Sequence, residues 1–195
     1  PLTIMQILAV DLGTDMIPAL ALGSEKPSSE IMKRPPRPKE ERLLSKKMLI
    51  RSYLFLGIFE ALAGMSAYFY IMHQAGWRWP EAVAPTTVYY LQATTACFAA
   101  IIVTQIANVF TCRSPRVSIA TLGPFSNRLV LIGIASELAL AAFIIYTPLG
   151  NSLFGCSPLD MHVWLLLIPF ALLLLLADEV RKALARRLGN RSVRI

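Results

Sequence analysis

Charge is what this sequence has least of. Only 16% of its 195 residues are Asp, Glu, Lys or Arg, against 55% that are hydrophobic, and the mean hydropathy is +0.56. A soluble domain carries about 25% charged residues to cover its core, so that class is excluded. The apolar content excludes disorder as well. Cysteine is also scarce. Cys97, Cys112 and Cys156 form an odd, scattered set, with no CxxC spacing and no His cluster, so neither a disulfide framework nor a metal–thiolate site is indicated. His73 and His162 stand at the ends of apolar runs, an ordinary place for an interfacial imidazole. An initiator Met, a signal peptide and a cytoplasmic leader are lacking too. The chain opens on Pro1 and enters an apolar run at once, the shape expected of the later part of a longer protein.

What is abundant is long apolar sequence. A helix rises ~1.5 Å per residue, so roughly 20 apolar residues cross a ~30 Å hydrocarbon core. Five stretches qualify, at about residues 1–23, 48–72, 86–110, 127–147 and 159–177. Asp11 and Asp15 interrupt the first, and the fifth carries Pro169, which neighbouring helices can accommodate. Runs this long are not the alternating ~10-residue segments of a membrane barrel. The expected fold class is all-α, a polytopic bundle of five transmembrane helices.

The 19 Lys and Arg exceed the 12 Asp and Glu, for a net charge of +7. Such an excess would suggest nucleic acid if it lay on one globular face, but here it lies between the apolar runs. The first connection and its flanks hold nine basic residues from Lys26 to Arg51, the third holds Arg113, Arg116 and Arg128, and the tail holds six from Arg181 to Arg194. The second connection has only Arg78 and the fourth has none. The positive-inside rule places loop 24–47, the third connection and the C-terminus in the cytoplasm, and the N-terminus of the chain on the opposite side. The partner implied is the lipid bilayer, not nucleic acid.

The acidic minority is more informative. Asp11-Leu-Gly-Thr14-Asp15-Met-Ile-Pro18 sets two carboxylates inside an apolar run, where each costs roughly 2.5–3.5 kcal/mol to insert. Positions 11, 14 and 15 are i, i+3 and i+4, which on a regular helix share one face. Pro18 has no N–H and clashes with the carbonyl of Thr14, and Gly13 makes local unwinding cheap. Freed carbonyls on broken helices are how transporters offer oxygen to a cation. Asp11, Thr14 and Asp15 are therefore candidate ligands for a hard cation, Na⁺, K⁺, Ca²⁺ or H⁺, with Gly13 and Pro18 as helix-unwinding residues. The bland alternative is one neutral, hydrogen-bonded Asp and one beside a water-filled vestibule. Glu60 lies mid-run among Gly57, Ala61 and Gly64, where interhelical hydrogen bonding competes with an ion-site role. Gln105, Asn108 and Glu137 would form a further ion or proton site if their helices are neighbours.

These residues carry a family resemblance. Asp11-Leu-Gly-Thr-Asp-Met-Ile-Pro-Ala followed by Glu30-Ile-Met-Lys-Arg-Pro-Pro-Arg resembles the sixth membrane helix and following cytoplasmic loop of P-type cation-transporting ATPases, in the branch of the calcium and sodium/potassium pumps. It continues through Gln105-Ile-Ala-Asn, Glu137-Leu-Ala-Leu-Ala-Ala-Phe and Asp178-Glu-Val-Arg-Lys, and covers essentially the whole chain as helices six to ten of such a pump. The resemblance implies that Asp11, Thr14 and Asp15 coordinate the transported cation. Asp11, where calcium pumps usually carry Asn, leans toward the sodium/potassium-like members. In those, a further site uses a Gln and an Asp on the eighth helix and a Glu on the ninth. Gln105 and Glu137 match, but Asn108 replaces the Asp and removes a charge. Loop 24–47, with its rigid Pro35-Pro36-Arg37-Pro38, would couple the membrane helices to a phosphorylation domain. Asp178-Glu-Val-Arg-Lys reads as a solvated helix end.

The resemblance further implies Mg-ATP as the complete pump's energy source, and the pump's N-terminal membrane helices and cytoplasmic catalytic domains as partners. It also implies location in the plasma membrane. The chain contains no Asp-Lys-Thr-Gly or Thr-Gly-Glu motif and no nucleotide-binding module, so its own catalytic residues for phosphoryl transfer are none. Without the resemblance, a free-standing five-span scaffold or a small cation channel also fits.

Overall fold

The computed structural model describes residues 2–27, 44–79 and 81–191. Pro1, most of the basic loop with its Pro35–Pro38 strut and Glu30–Arg37 motif, and Arg194 lie outside the described residues. Among the described residues, five helices are long and apolar enough to cross a membrane: α1 (Ile4–Gly23), α2 (Met48–Gln74), α3 (Val88–Cys112), α5 (Arg128–Tyr146) and α7 (Met161–Arg191, of which Met161–Arg187 is the candidate span). Short helices α4 (Ile119–Leu122) and α6 (Pro148–Phe154) sit in the third and fourth connections. Among the described residues there are helices and no strands.

Local chemistry sets the boundaries. Thr3 caps α1 reciprocally: its Oγ1 accepts from the Gln6 N–H at 3.2 Å while Gln6 Oε1 accepts from the Thr3 N–H at 3.1 Å. Asn127 caps α5 through Oδ1, which accepts from the N–H groups of Leu129 and Val130. Helix α6 starts with the Thr147 cap and Pro148, and stops at Gly155 in the left-handed region. Among the described residues, two segments depart from α geometry. Ala9–Thr14 in α1 and Arg51–Leu56 in α2 are π-helical turns, closed by Asp15 N–H to Val10 O and by Gly57 N–H to Ser52 O.

The bundle is built around α3. Of its span, 61% is buried, against 22–33% in the other four. Ala93, Ala96, Ala99 and Ala100 are fully buried there, and such small side chains let neighbouring backbones approach closely. Helices α2 and α7 pack on one side of α3, and α1 with α5 on the other. Large apolar side chains such as Leu20, Leu54, Ile132 and Leu176 face outward, as a bilayer-facing surface requires.

The fifth helix departs from the sequence reading. It continues well past residue 177, and its Asp178-Glu-Val-Arg-Lys stretch is not a solvated end: Asp178 and Lys182 are fully buried. The reason is a shared carboxylate. Asp178 takes Arg181 Nε at 2.7 Å and Lys182 Nζ at 3.0 Å from its own helix, and Arg51 Nη2 at 3.3 Å from α2. The ion pairs with three cations offset the cost of burying that anion.

Candidate functional site

The π-turn of α1 decides how its polar residues are presented. On a regular helix Asp11, Thr14 and Asp15 would share a face. The wider turn keeps residues four apart in line but swings the intervening third one aside. Asp11 and Asp15 accordingly stay together on an exposed face, whereas Thr14 turns into the bundle, fully buried, its hydroxyl donating to the Val10 carbonyl at 3.1 Å. The expected single face is thus two carboxylates on one side and a hydroxyl around the corner. Pro18 leaves the Thr14 carbonyl without its regular helical donor.

Helix α5 grips this broken stretch. A β-carbon at Gly133 would lie 3.0 Å from Pro18 Cα, and one at Gly13 would lie 2.8 Å from Leu140 Cδ2. The helices therefore run antiparallel with Pro18 opposite Gly133 and Gly13 opposite Leu140. Glu137, one turn from each, falls opposite the stretch between Thr14 and Ile17. Its side chain is 1% exposed, and neither carboxylate oxygen has a hydrogen-bond partner among the described residues. An unpaired buried carboxyl is costly unless it meets a proton or a cation. The helices of Gln105 and Glu137 are neighbours, the condition for a second polar cluster with Asn108, and α5 also packs on the π-turn of α1.

The other candidates divide. Gln105 on α3 is half-buried, with a buried Oε1 that lacks a partner among the described residues. Asn108 is turned along its own helix, its Oδ1 accepting from Thr111 Oγ1 at 3.0 Å and Cys112 Sγ at 3.4 Å. Glu60 lines a groove of about 370 Å³ with Gly57, Gly64, Leu2 and Cys97. Among the described residues no three His, Cys, Asp or Glu side chains converge closely enough to hold a metal ion. Asp11 and Asp15 face outward from these five helices.

A polar latch that spacing did not reveal fixes the adjacent end of α1. Arg113, just past α3, donates from Nε and Nη2 to Glu25 at 2.9 Å each. It also binds the carbonyls of Gly123 and Pro124 and the hydroxyl of Ser126. Asn127 Nδ2 adds a 3.0 Å bond to Glu25. The Arg113 hydrogen bonds hold the Glu25 carboxyl below its ordinary value, with help from Asn127 and against the effect of burial. The local signal was slight, a carboxylate just beyond the first run and an Asn before the fourth.

Known proteins resemble this chain along nearly its whole length. Residues 1–184 match the family described as "Cation transporting ATPase, C-terminus". The chain is similar to the sodium/potassium-transporting ATPase subunit alpha of Tetronarce californica, 32% identical with 96% of this chain and 21% of that protein covered. It is equally similar to subunit alpha-1 of Catostomus commersonii, 32% identical with 96% and 20% covered. The chain thus spans about a fifth of the length of these relatives.

Proposed function

Since the chain belongs to the cation-transporting ATPase C-terminal family, we propose that it is the C-terminal membrane domain of an ATP-driven cation pump and supplies part of the intramembrane cation site. The observation that carries the reading is the pair of carboxylates, Asp11 within a π-turn and Asp15 at its end, set against the buried Glu137, which has no hydrogen-bond partner among the described residues. Asp11, Asp15 and the Thr14 carbonyl are the oxygens offered to a hard cation, Na⁺, K⁺, Ca²⁺ or H⁺. Glu137 and Gln105 extend the set, and Asn108 adds no charge to it. The remaining ligands belong to other membrane helices of the same pump, and Mg-ATP is hydrolysed in its cytoplasmic domains.

The mechanism is alternating access. Phosphorylation outside this chain tilts the helices, and the carboxylates exchange cation for proton as the site changes sides. In this reading α1 pivots where α5 packs closely on it, at Gly13 and Pro18. The third connection and the C-terminus are cytoplasmic in this reading, and the membrane is the plasma membrane. Asp15→Asn in the complete pump tests it: cation-dependent phosphorylation and transport are expected to fall at least tenfold. Unchanged values at every cation concentration would remove Asp15 from the site.

A further inference from the structure

Glu60 is an intramembrane carboxyl outside that ligand set. It stands in the middle of α2, partly buried, on the wall of the groove of about 370 Å³. A carboxyl at membrane depth is costly and marks either a pairing or a function.

The depth of Glu60 follows from ties at both ends of the bundle. At one end Gln6 Nε2 of α1 donates to Cys156 Sγ at 3.4 Å, and the N–H of the next residue, Ser157, donates to Thr95 Oγ1 of α3 at 3.0 Å. At the other end Arg113, just past α3, holds Glu25, just past α1. The stretches from Gln6 to Glu25 and from Thr95 to Arg113 are almost equal in length, so α1 and α3 run in register. Asp11 and Ile101, each about one and a half turns beyond the first tie, therefore lie at one depth. On α2, a β-carbon at Gly64 would stand 3.1 Å from Cys97 Sγ. Since α2 runs antiparallel to α3, Glu60, one turn from Gly64, falls opposite Ile101, one turn from Cys97. Glu60 and Asp11 thus share a level of the membrane on different helices.

The groove decides what Glu60 can bind. A hard metal cation asks for several oxygens. Beside Glu60 the walls are Leu2, Ala61, Ile101, two glycines and the sulfurs of Met65 and Cys97, none of which offers a side-chain oxygen. A proton needs one carboxyl oxygen and no coordination shell, and it removes the charge that an apolar wall disfavours. Few groups bear on it. From α3 the titratable side chain in the groove is the Cys97 thiol, and α1 brings Leu2 to it, with Asp11 and Asp15 near the same level. Helix α7 packs by Leu174 and Leu175 in a cluster with Phe55 and Phe59 of α2, without charge. No amine, guanidinium or imidazole lines the groove.

We propose that Glu60 is a proton site of the transport cycle, separate from the cation-binding carboxylates of α1. Its carboxylate takes up one proton on the side where the cation leaves, and the carboxyl releases it on the side from which the cation came. It binds no metal cation itself. The proposal rests on the pump reading above.

The test uses the complete protein in sealed vesicles with entrapped pyranine, which reads protons moved per ATP hydrolysed, supplied in turn with Na⁺, K⁺ and Ca²⁺. Glu60→Gln keeps size and polarity but cannot ionise. It is expected to remove one proton per cycle and to leave the cation concentration for half-maximal phosphorylation within twofold. Glu60→Asp is expected to retain the proton. An unchanged proton count in Glu60→Gln would overturn the proposal and leave Glu60 as an interhelical hydrogen-bonding group. A tenfold loss of cation affinity would also overturn it, by placing Glu60 among the cation ligands. Asp15→Asn separates the two readings: transport lost there with the proton count unchanged in Glu60→Gln defeats this proposal alone. Should Glu60→Gln fail to fold, the apolar reagent dicyclohexylcarbodiimide, which attacks protonated carboxyls, serves on the unmodified protein. Labelling of Glu60 without cation, read by mass spectrometry, is expected to fall severalfold as the pH is raised from mildly acidic to alkaline. No labelling at any pH would overturn the proposal, because another helix then covers the carboxyl.

Discussion

Gly133 of α5 meets Pro18 of α1 with no side chain between them: a β-carbon there would stand 3.0 Å from Pro18 Cα and 3.1 Å from its nitrogen. Backbone cannot yield as a side chain can. Gly133→Ala gains about 1 kcal/mol of helix propensity but incurs roughly 1–3 kcal/mol of overpacking. A net loss of stability is expected, larger for Gly133→Val, read as a lower melting temperature in mild detergent. Cation affinity is expected to fall in parallel, because Pro18 adjoins the π-turn. An unchanged melt for Gly133→Val would mean that α1 and α5 do not pack in this register.

Glu25 and Arg113 give a pH signature. The native Glu25 carboxyl titrates below its ordinary value of 4.5 because Arg113 and Asn127 bond its ionised form. Its contribution is therefore complete above that ordinary value and is lost as pH falls through the lower native one. A melting-temperature profile taken down through pH 4 is expected to show this loss, and Glu25→Gln to flatten that part of the profile. Arg113→Ala is expected to cost on the order of 2 kcal/mol at neutral pH, since it removes charge-assisted bonds. A Glu25→Gln profile that overlays the original would exclude the pair as a stabilising element.

Asp178 bears on three cations, one of them the fully buried Lys182. Asp178→Asn leaves Lys182 with only Glu179 at 3.4 Å. Breaking a buried pair from one side costs roughly 3–5 kcal/mol, so this variant is expected to melt far earlier. Lys182→Met with Asp178→Leu is expected to recover much of the loss. Failure of the double variant to exceed the single one would show that the cluster acts through more than desolvated charge.

The five helical spans were legible because length and apolar content are local properties. Some local irregularity in α1 was suggested by Gly13 and Pro18. Its direction was not, since a π-turn and a regular turn read alike in sequence but place Thr14 on different sides. The π-turn at Arg51–Leu56 contains neither glycine nor proline and left no local trace. Asp178-Glu-Val-Arg-Lys looked solvated because its composition is that of a surface helix. Its burial depends on Arg51, 127 positions away. Arg113 and Glu25, 88 positions apart, are a pair for the same reason invisible to spacing. Long-range pairing of charges is fixed by which helices become neighbours, and apolar patterning does not encode that.

The most direct measurement concerns the carboxylates of α1. In the complete protein, a carbodiimide labels carboxyls that are reachable and free of cation, and mass spectrometry reads the extent at each residue. Saturating transported cation is expected to suppress labelling of Asp11 and Asp15 at least severalfold while leaving the exposed Asp160 and Glu81 unchanged. Equal labelling of Asp11 and Asp15 with and without every candidate cation would contradict their role as ligands.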